Sequence, residues 1–102
     1  MKTLRNPDRR PTHPGAVLRE DVLPALDMSQ TAFAERLGVS RLTVSDLLLE
    51  KRGLSAEMAA RIGKLLNTSP ESWLRMQQGV DLWDVMQKPE KLAGIKPIEK
   101  AA

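Results

Sequence analysis

The stretch that decides the fold is residues 29–48, SQTAFAERLGVSRLTVSDLL, which has the pattern of two short helices joined by a tight turn. Ser29 is a favourable N-cap for a first helix over residues 30–37, and Ser40 is a favourable N-cap for a second. Gly38 lies where a helix ends in the left-handed conformation, which glycine adopts without steric cost. The stretch therefore predicts a helix, a glycine turn and a second helix.

The apolar residues of this stretch fall on one face of each predicted helix, at spacings of one, three and four residues. They are Phe33, Ala34 and Leu37 in the first helix and Val44, Leu47 and Leu48 in the second. Two helices that cross steeply over a short turn need a small residue where they approach, and Ala34 supplies one opposite Val44. This is the pattern of a DNA-binding helix-turn-helix, whose second helix enters the major groove. An ordinary helical hairpin in a small bundle is the alternative.

The whole chain has 102 residues, of which 41% are apolar, so one small domain with a thin core is expected. The absence of cysteine excludes a disulfide framework and a thiolate zinc site, and a single histidine argues against a histidine metal site or a Ser-His triad. We find no nucleophile–base pair and no glycine-rich phosphate loop either. The sequence therefore predicts no cofactor, no metal and no enzymatic activity.

Charge and hydropathy narrow the class of partner and the location. Residues 1–13 hold four basic side chains against one acidic, and residues 87–102 hold four against two, whereas residues 14–86 hold eight against ten. Any affinity for nucleic acid must then come from a local patch, which suits a selective reader of DNA. No apolar run approaches membrane-spanning length and the N-terminus lacks the apolar core of a signal peptide, so we expect no membrane association and a cytoplasmic protein.

Three further helices are predicted around the central stretch, which makes an all-α, five-helix chain. A first helix follows His13, which is expected to cap or pack rather than catalyse, and Pro24 is expected to end or kink this helix. Ser55 caps a helix over residues 56–67, and Ser69 with Pro70 starts a last helix that ends near residue 87. The predicted organisation is a flexible basic arm (residues 1–12), a helix-turn-helix and dimerisation domain (13–87) and a flexible tail (88–102).

The last predicted helix has two apolar stripes, although a terminal helix in a small domain needs only one. One stripe recurs at 3-4-3 spacing, the rhythm of a helix–helix seam, and consists of Trp73, Met76, Val80 and Trp83. The other consists of Leu74, Leu82, Val85 and Met86. We predict a homodimer through this helix, with the first stripe as the seam. The alternative is that both stripes are buried within one chain.

Several separate segments resemble the HigA antitoxins, within the lambda-repressor-like helix-turn-helix superfamily. They are His13-Pro14-Gly15 with Leu18-Arg19-Glu20, Ala34 with Leu37-Gly38-Val39-Ser40, Lys51-Arg52-Gly53-Leu54-Ser55, and Thr68-Ser69-Pro70 with Trp73-Leu74. The resemblance implies a homodimeric repressor that binds a palindromic operator in its own operon. It also implies a partner toxin, a HigB-like ribonuclease that cleaves mRNA. A stand-alone repressor without a toxin is the alternative.

The residues expected to contact double-stranded DNA lie on and around the second helix of the motif. Arg41 is placed for a bidentate contact with guanine and Leu42 for a thymine methyl group. Asp46 either accepts from cytosine N4 or is a solvated carboxylate. The full set is Gln30, Ser40, Arg41, Leu42, Thr43, Ser45, Asp46, Lys51 and Arg52, of which Gln30, Ser40, Thr43, Lys51 and Arg52 are expected to hold phosphates.

A toxin surface is expected away from the recognition helix, because ribonucleases are usually basic and the acidic excess lies in the body of the chain. The acidic residues in question are Glu20, Asp21 and Asp27. Leu4, Val17 and Val22 are candidate apolar anchors for the toxin, and the alternative is that they belong to the core.

Overall fold

A computed structural model describes residues 9–99, and within that range the chain consists of helices and loops without a strand. Helix α1 is continuous and comprises an α-helical turn at Pro14–Val17, a π-helical turn at Leu18–Val22 and a second α-helical turn at Leu23–Leu26. The other helices are α2 (Gln30–Leu37), α3 (Arg41–Leu48), α4 (Ala56–Leu66) and α5 (Pro70–Met86), followed by a 3-10 turn at Pro89–Lys91. The predicted five-helix, all-α fold is confirmed. Residues 1–8 of the predicted arm, with Leu4, and residues 100–102 of the predicted tail lie outside the described range.

The four predicted serine caps are confirmed, which is why α2 to α5 begin where the sequence places them. Each hydroxyl oxygen accepts from a backbone N–H three residues later, at distances of 3.0–3.2 Å. The capping residues are Ser29, Ser40, Ser55 and Ser69. Each such cap stabilises its helix by about 1 kcal/mol. Gly38 closes α2 in the left-handed conformation, with a φ of 76°, as predicted.

The expectation that Pro24 ends the first helix is wrong, because α1 continues through Pro24 to Leu26. A proline ring clashes with the carbonyl four residues earlier, which here belongs to Glu20, and lacks the N–H that would bond to it. The helix widens into a π turn immediately before the proline, where the N–H of Leu23 donates to the carbonyl of Leu18. This wider turn accommodates the ring without breaking the helix.

The core is built around the two helices of the central motif. The apolar faces predicted for α2 and α3 are buried, and Ala34 and Val44 are only 2% and 1% exposed where these helices cross. Helices α1, α4 and α5 contribute the rest of the core: Leu18, Leu23, Met58, Ala59, Ile62 and Trp73, together with Leu54 from the loop after α3. Since the inner face of α3 is buried, its opposite face is presented to solvent.

The start of α1 packs directly against the end of α3. His13 Nδ1 accepts a hydrogen bond of 2.9 Å from the N–H of Gly15, so the imidazole is the N-cap of α1. Gly15 is in contact with the backbone of Leu47, and a Cβ on it would lie 2.9 Å from the Leu47 carbonyl carbon and closer still to the oxygen. The prediction that His13 caps or packs is confirmed.

We expect the stability of the chain to fall as pH drops below about 6.5, the usual pKa of histidine. His13 is 4% exposed, and burial lowers its pKa more than the nearby Glu50 raises it. Below pH 6.5 the unfolded chain takes up a proton at His13 that the folded chain does not. The folded chain therefore loses stability as the pH falls from 6.5 to the lowered pKa of His13. The slope is at most about 1.4 kcal/mol per pH unit.

Urea unfolding between pH 5 and 8 measures this effect, with His13→Asn as the control because asparagine caps a helix but does not titrate. The natural chain should lose stability across this range and the variant should not. Equal slopes for the two proteins would contradict the assignment to His13.

Candidate nucleic-acid interface

The exposed face of α3 begins with two residues predicted to contact bases. Leu42 is 69% exposed, and Arg41 beside it is also exposed. Ser45 and Asp46 follow one turn later and are half-buried. The structure therefore brings all four predicted base-contacting residues onto one side of α3, with Arg41 and Leu42 the most accessible.

The residues predicted to hold phosphates at the helix starts are placed at the first turns of α2 and α3. Gln30 is the exposed first residue of α2. Ser40 and Thr43 bond to each other through their hydroxyl oxygens at 2.8 Å, while the Ser40 oxygen also accepts the Thr43 N–H as the helix cap. One hydroxyl donates within this pair, so the O–H of the other stays available to donate to a phosphate.

The loop after α3 carries the two remaining predicted phosphate contacts, Lys51 and Arg52, both exposed. A buried glutamine fastens this loop to α5: Gln77 Oε1 accepts from the N–H of Leu54 at 2.8 Å, and its Nε2 donates to Asp81 at 2.8 Å. Sequence reasoning missed Gln77. The available signal was a polar residue lying four positions after Trp73 on the same stripe of α5.

Four charged residues from distant segments meet behind the recognition helix in a second group that sequence reasoning missed, and we call it the arginine network; Arg19 also pairs with its neighbour Glu20 at 2.6 Å. Its members are Arg10, Arg19, Glu50 and Asp84. Arg19 Nη1 donates to the carbonyl oxygen of Leu48, the last residue of α3, at 2.6 Å. The Arg10 guanidinium holds the pKa of the Asp84 carboxyl below its usual range through hydrogen bonds and charge. No sequence spacing reveals this group, since its members are up to 74 residues apart.

The predicted dimer seam needs correction, because two of its four members belong to the core of the single chain. Trp73 and Val80 are 5% and 1% exposed, Trp73 Nε1 donates to Thr68 at 2.8 Å, and Met76 and Trp83 are half-buried. In the second stripe Leu82, Val85 and Met86 are 64%, 44% and 57% exposed, whereas Leu74 packs partly buried against the core. The 3-4-3 rhythm marks the face of α5 that packs on its own chain.

Among residues 9–99, no cluster of three or more His, Cys, Asp or Glu side chains is arranged to hold a metal ion. No helix in the described part of the chain is long and apolar enough to cross a membrane.

Comparison with known proteins identifies the family to which the chain is similar. A helix-turn-helix family model, HTH_3, matches residues 18–73. Antitoxin HigA-1 of Vibrio cholerae is 35% identical over 96 residues, which cover 93% of this chain and 90% of the relative. An uncharacterized HTH-type transcriptional regulator of Escherichia coli, YbaQ, is 38% identical over 98 residues, covering 93% of this chain and 87% of the relative.

Solved structures agree with these relatives. Pseudomonas aeruginosa antitoxin HigA with the higBA promoter superposes with a TM-score of 0.81 at 38% identity, covering 88% of this chain and 100% of the other. Antitoxin GraA in complex with its operator also superposes with a TM-score of 0.81 at 38% identity, covering 97% of this chain and 100% of the other.

Proposed function

The chain belongs to the HigA antitoxins within the helix-turn-helix family, and from this we propose that it is an antitoxin that represses its own operon and neutralises a ribonuclease toxin. The observation that carries the DNA-binding part is the face of α3 that presents Arg41 and Leu42 to solvent. Its opposite face is buried in the core, so these side chains project from a rigid support.

Recognition of the operator is proposed to divide between bases and phosphates. The Arg41 guanidinium can donate two hydrogen bonds to guanine O6 and N7, and Leu42 can contact a thymine methyl group. Lys51 and Arg52, in the loop after α3, are placed to contact the backbone and fix the register. Asp46, which is half-buried, either accepts from a cytosine amino group or stays solvated. The relatives with promoter and operator DNA support this reading.

We propose that two chains pair through the exposed stripe of α5, formed by Leu82, Val85 and Met86. Three large apolar side chains at spacings of three and four form a continuous apolar surface on a helix. A two-fold axis at this stripe would relate two recognition helices, as a palindromic operator requires. Half-sites are then expected roughly 34–36 Å apart, one turn of the DNA helix.

The toxin is proposed to bind away from α3, on the side of α1 that carries Glu20 and Asp21. Both carboxylates are exposed, and Asp27 at the end of α1 is exposed as well. They would attract a basic ribonuclease and help to orient it. Val17 and Val22, predicted as candidate anchors, pack partly buried against the core and offer the partner only part of their surface.

A stand-alone repressor is the second candidate function, and the similarity to the E. coli transcriptional regulator YbaQ supports it. Under either candidate the protein acts where its operator is, so we propose a cytoplasmic location and a role in binding rather than catalysis. Expression of the native operon and purification of the chain separate the two candidates. A small basic protein should co-purify if the chain is an antitoxin, and none should co-purify if it is a stand-alone repressor.

Arg41→Ala should weaken operator binding by roughly tenfold to hundredfold and relax selectivity at one base position, because a bidentate guanine contact is lost. Capture of the toxin should be unchanged. Asp21→Lys should show the reverse pattern, with weaker toxin capture and an intact operator complex. Glu20 is left unchanged in this test because it pairs with Arg19 of the arginine network. Binding to a labelled duplex from the promoter and co-purification measure the two activities.

Lys51→Ala is the control for a purely electrostatic effect, since loss of a phosphate contact weakens all DNA sequences alike and lowers the salt slope by about one. If Arg41→Ala left operator affinity and selectivity intact, α3 would not be the recognition helix.

A further inference from the structure

Resting on the proposed operator binding and pairing through α5, we propose that Arg10 is a positioning residue for DNA recognition. Arg10 ties α5 to the loop after α3. It thereby fixes the orientation of the recognition helix relative to the exposed stripe of α5. It does so from outside the five helices, in the segment that precedes α1.

The Arg10 guanidinium spans two elements that are far apart in sequence. Its Nε and Nη2 donate to the two carboxylate oxygens of Asp84 at 2.9 and 3.0 Å, in a bidentate pair on α5. Its Nη1 donates to Glu50 Oε1 at 3.3 Å, in the loop after α3. Three of the five guanidinium N–H groups are therefore used to join α5 to that loop.

Glu50 passes this link on to the recognition helix itself. Its second carboxylate oxygen lies 3.4 Å from Arg19 Nη1, the same nitrogen that donates to the Leu48 carbonyl at the end of α3. The backbone of Glu50 has a φ of 61°, and the Glu50 N–H donates to the Leu47 carbonyl at 3.0 Å. The side chain thus leaves the loop in a defined direction, toward both arginines.

A second tie joins α5 to the same loop, so Arg10 contributes mainly to the orientation of the loop and α3 relative to α5. Gln77 holds the N–H of Leu54 at 2.8 Å, and Asp84 lies seven residues further along α5. Seven residues of α-helix span about 10 Å. Packing in the core sets the overall position of α3. Two ties separated by this distance restrict small rotations of the loop and of the end of α3 relative to α5 more than one tie does. Losing Arg10 should therefore change orientation more than stability.

The exposure of the Arg10–Asp84 ion pair supports an effect on orientation rather than on stability. The side chains of Arg10 and Asp84 are 39% and 44% exposed, and ion pairs this exposed contribute little to the free energy of unfolding. In a dimer, however, a small rotation of each α3 relative to α5 moves both recognition helices away from half-sites whose spacing is fixed by the DNA.

Two variants separate positioning from simple charge attraction to DNA. Arg10→Lys keeps the positive charge but loses the fork that spans Asp84 and Glu50. Asp84→Asn removes the anchor and makes the chain more positive, so charge alone predicts tighter binding. We expect both to weaken operator binding roughly three- to tenfold. The double variant should be no weaker than either single variant, because both break one link.

The measurements use the full chain and a duplex spanning the promoter of its gene, compared with an unrelated duplex. Affinity for unrelated DNA and the salt slope should be unchanged in Arg10→Lys, as no phosphate contact is lost. Sedimentation should show dimers for every variant. Glu90→Gln is the matched control for Asp84→Asn, since it removes the same charge from the exposed 3-10 turn. It should not weaken operator binding.

An operator affinity of Asp84→Asn equal to or above that of the natural chain would overturn the proposal. So would a salt slope lowered by about one in Arg10→Ala, which would show a direct phosphate contact instead, or a monomeric Asp84→Asn. Failure of the proposed function looks different, since the natural chain would then not distinguish its promoter from unrelated DNA.

Discussion

Gly15→Ala is expected to destabilise the folded chain by about 3 kcal/mol, the upper part of the usual range for overpacking. The added Cβ would lie 2.9 Å from the Leu47 carbonyl carbon and would overlap the attached oxygen. Backbone cannot move aside as a flexible side chain can, so α1 must separate from the end of α3. Because Leu47 belongs to the recognition helix, operator binding should fall with stability.

Gly94→Ala is the matched control, because a Cβ there meets nothing within 4 Å. Thermal or urea unfolding of both variants measures the difference in the free energy of unfolding. A Gly15→Ala protein as stable as Gly94→Ala would show that α1 does not approach α3 as closely as described.

Leu82→Asp is expected to convert the proposed dimer into monomers and to weaken operator binding by at least about a hundredfold. The side chain is 64% exposed in the single chain, so the substitution should leave the monomer fold intact. Two aspartates would meet near the two-fold axis, and each chain would then bind one half-site alone. Linked binding of two sites typically exceeds the separate affinity by about 10² to 10⁴.

Ile98→Asp is the control for this prediction, since it adds the same charge at an apolar residue that is 90% exposed but lies in the tail. Sedimentation at micromolar concentration should give monomers for Leu82→Asp and dimers for Ile98→Asp. A dimeric Leu82→Asp that binds the operator normally would move the dimer interface away from this stripe of α5.

Local signals along the chain were enough to predict α2 to α5 and the helix-turn-helix. A serine cap, a glycine in the left-handed conformation and apolar residues at helical spacing each act over one or two helical turns. Such short-range effects can be read from neighbouring residues without knowing what lies opposite. The predicted exposure of Arg41 and Leu42 follows from the same periodicity, because residues opposite the buried Val44 and Leu48 must face outward.

Contacts between distant segments could not be predicted in the same way. The two stripes of α5 have similar apolar content, and only packing against α4 and α1 decides that Trp73 and Val80 are buried while Leu82 is not. Pro24 is accommodated because α1 can form a π turn within its packing environment, which overrides the local preference for a helix end.

The sequence by itself determined where α2 to α5 begin, the recognition helix and the residues it exposes, because caps and periodicity act locally. Only the tertiary structure decided which apolar residues of α5 stay exposed, why Gly15 must lack a side chain, and that Arg10 meets Asp84 and Glu50. These depend on pairs of residues tens of positions apart, and their meeting is set by how the helices pack rather than by any pattern along the chain.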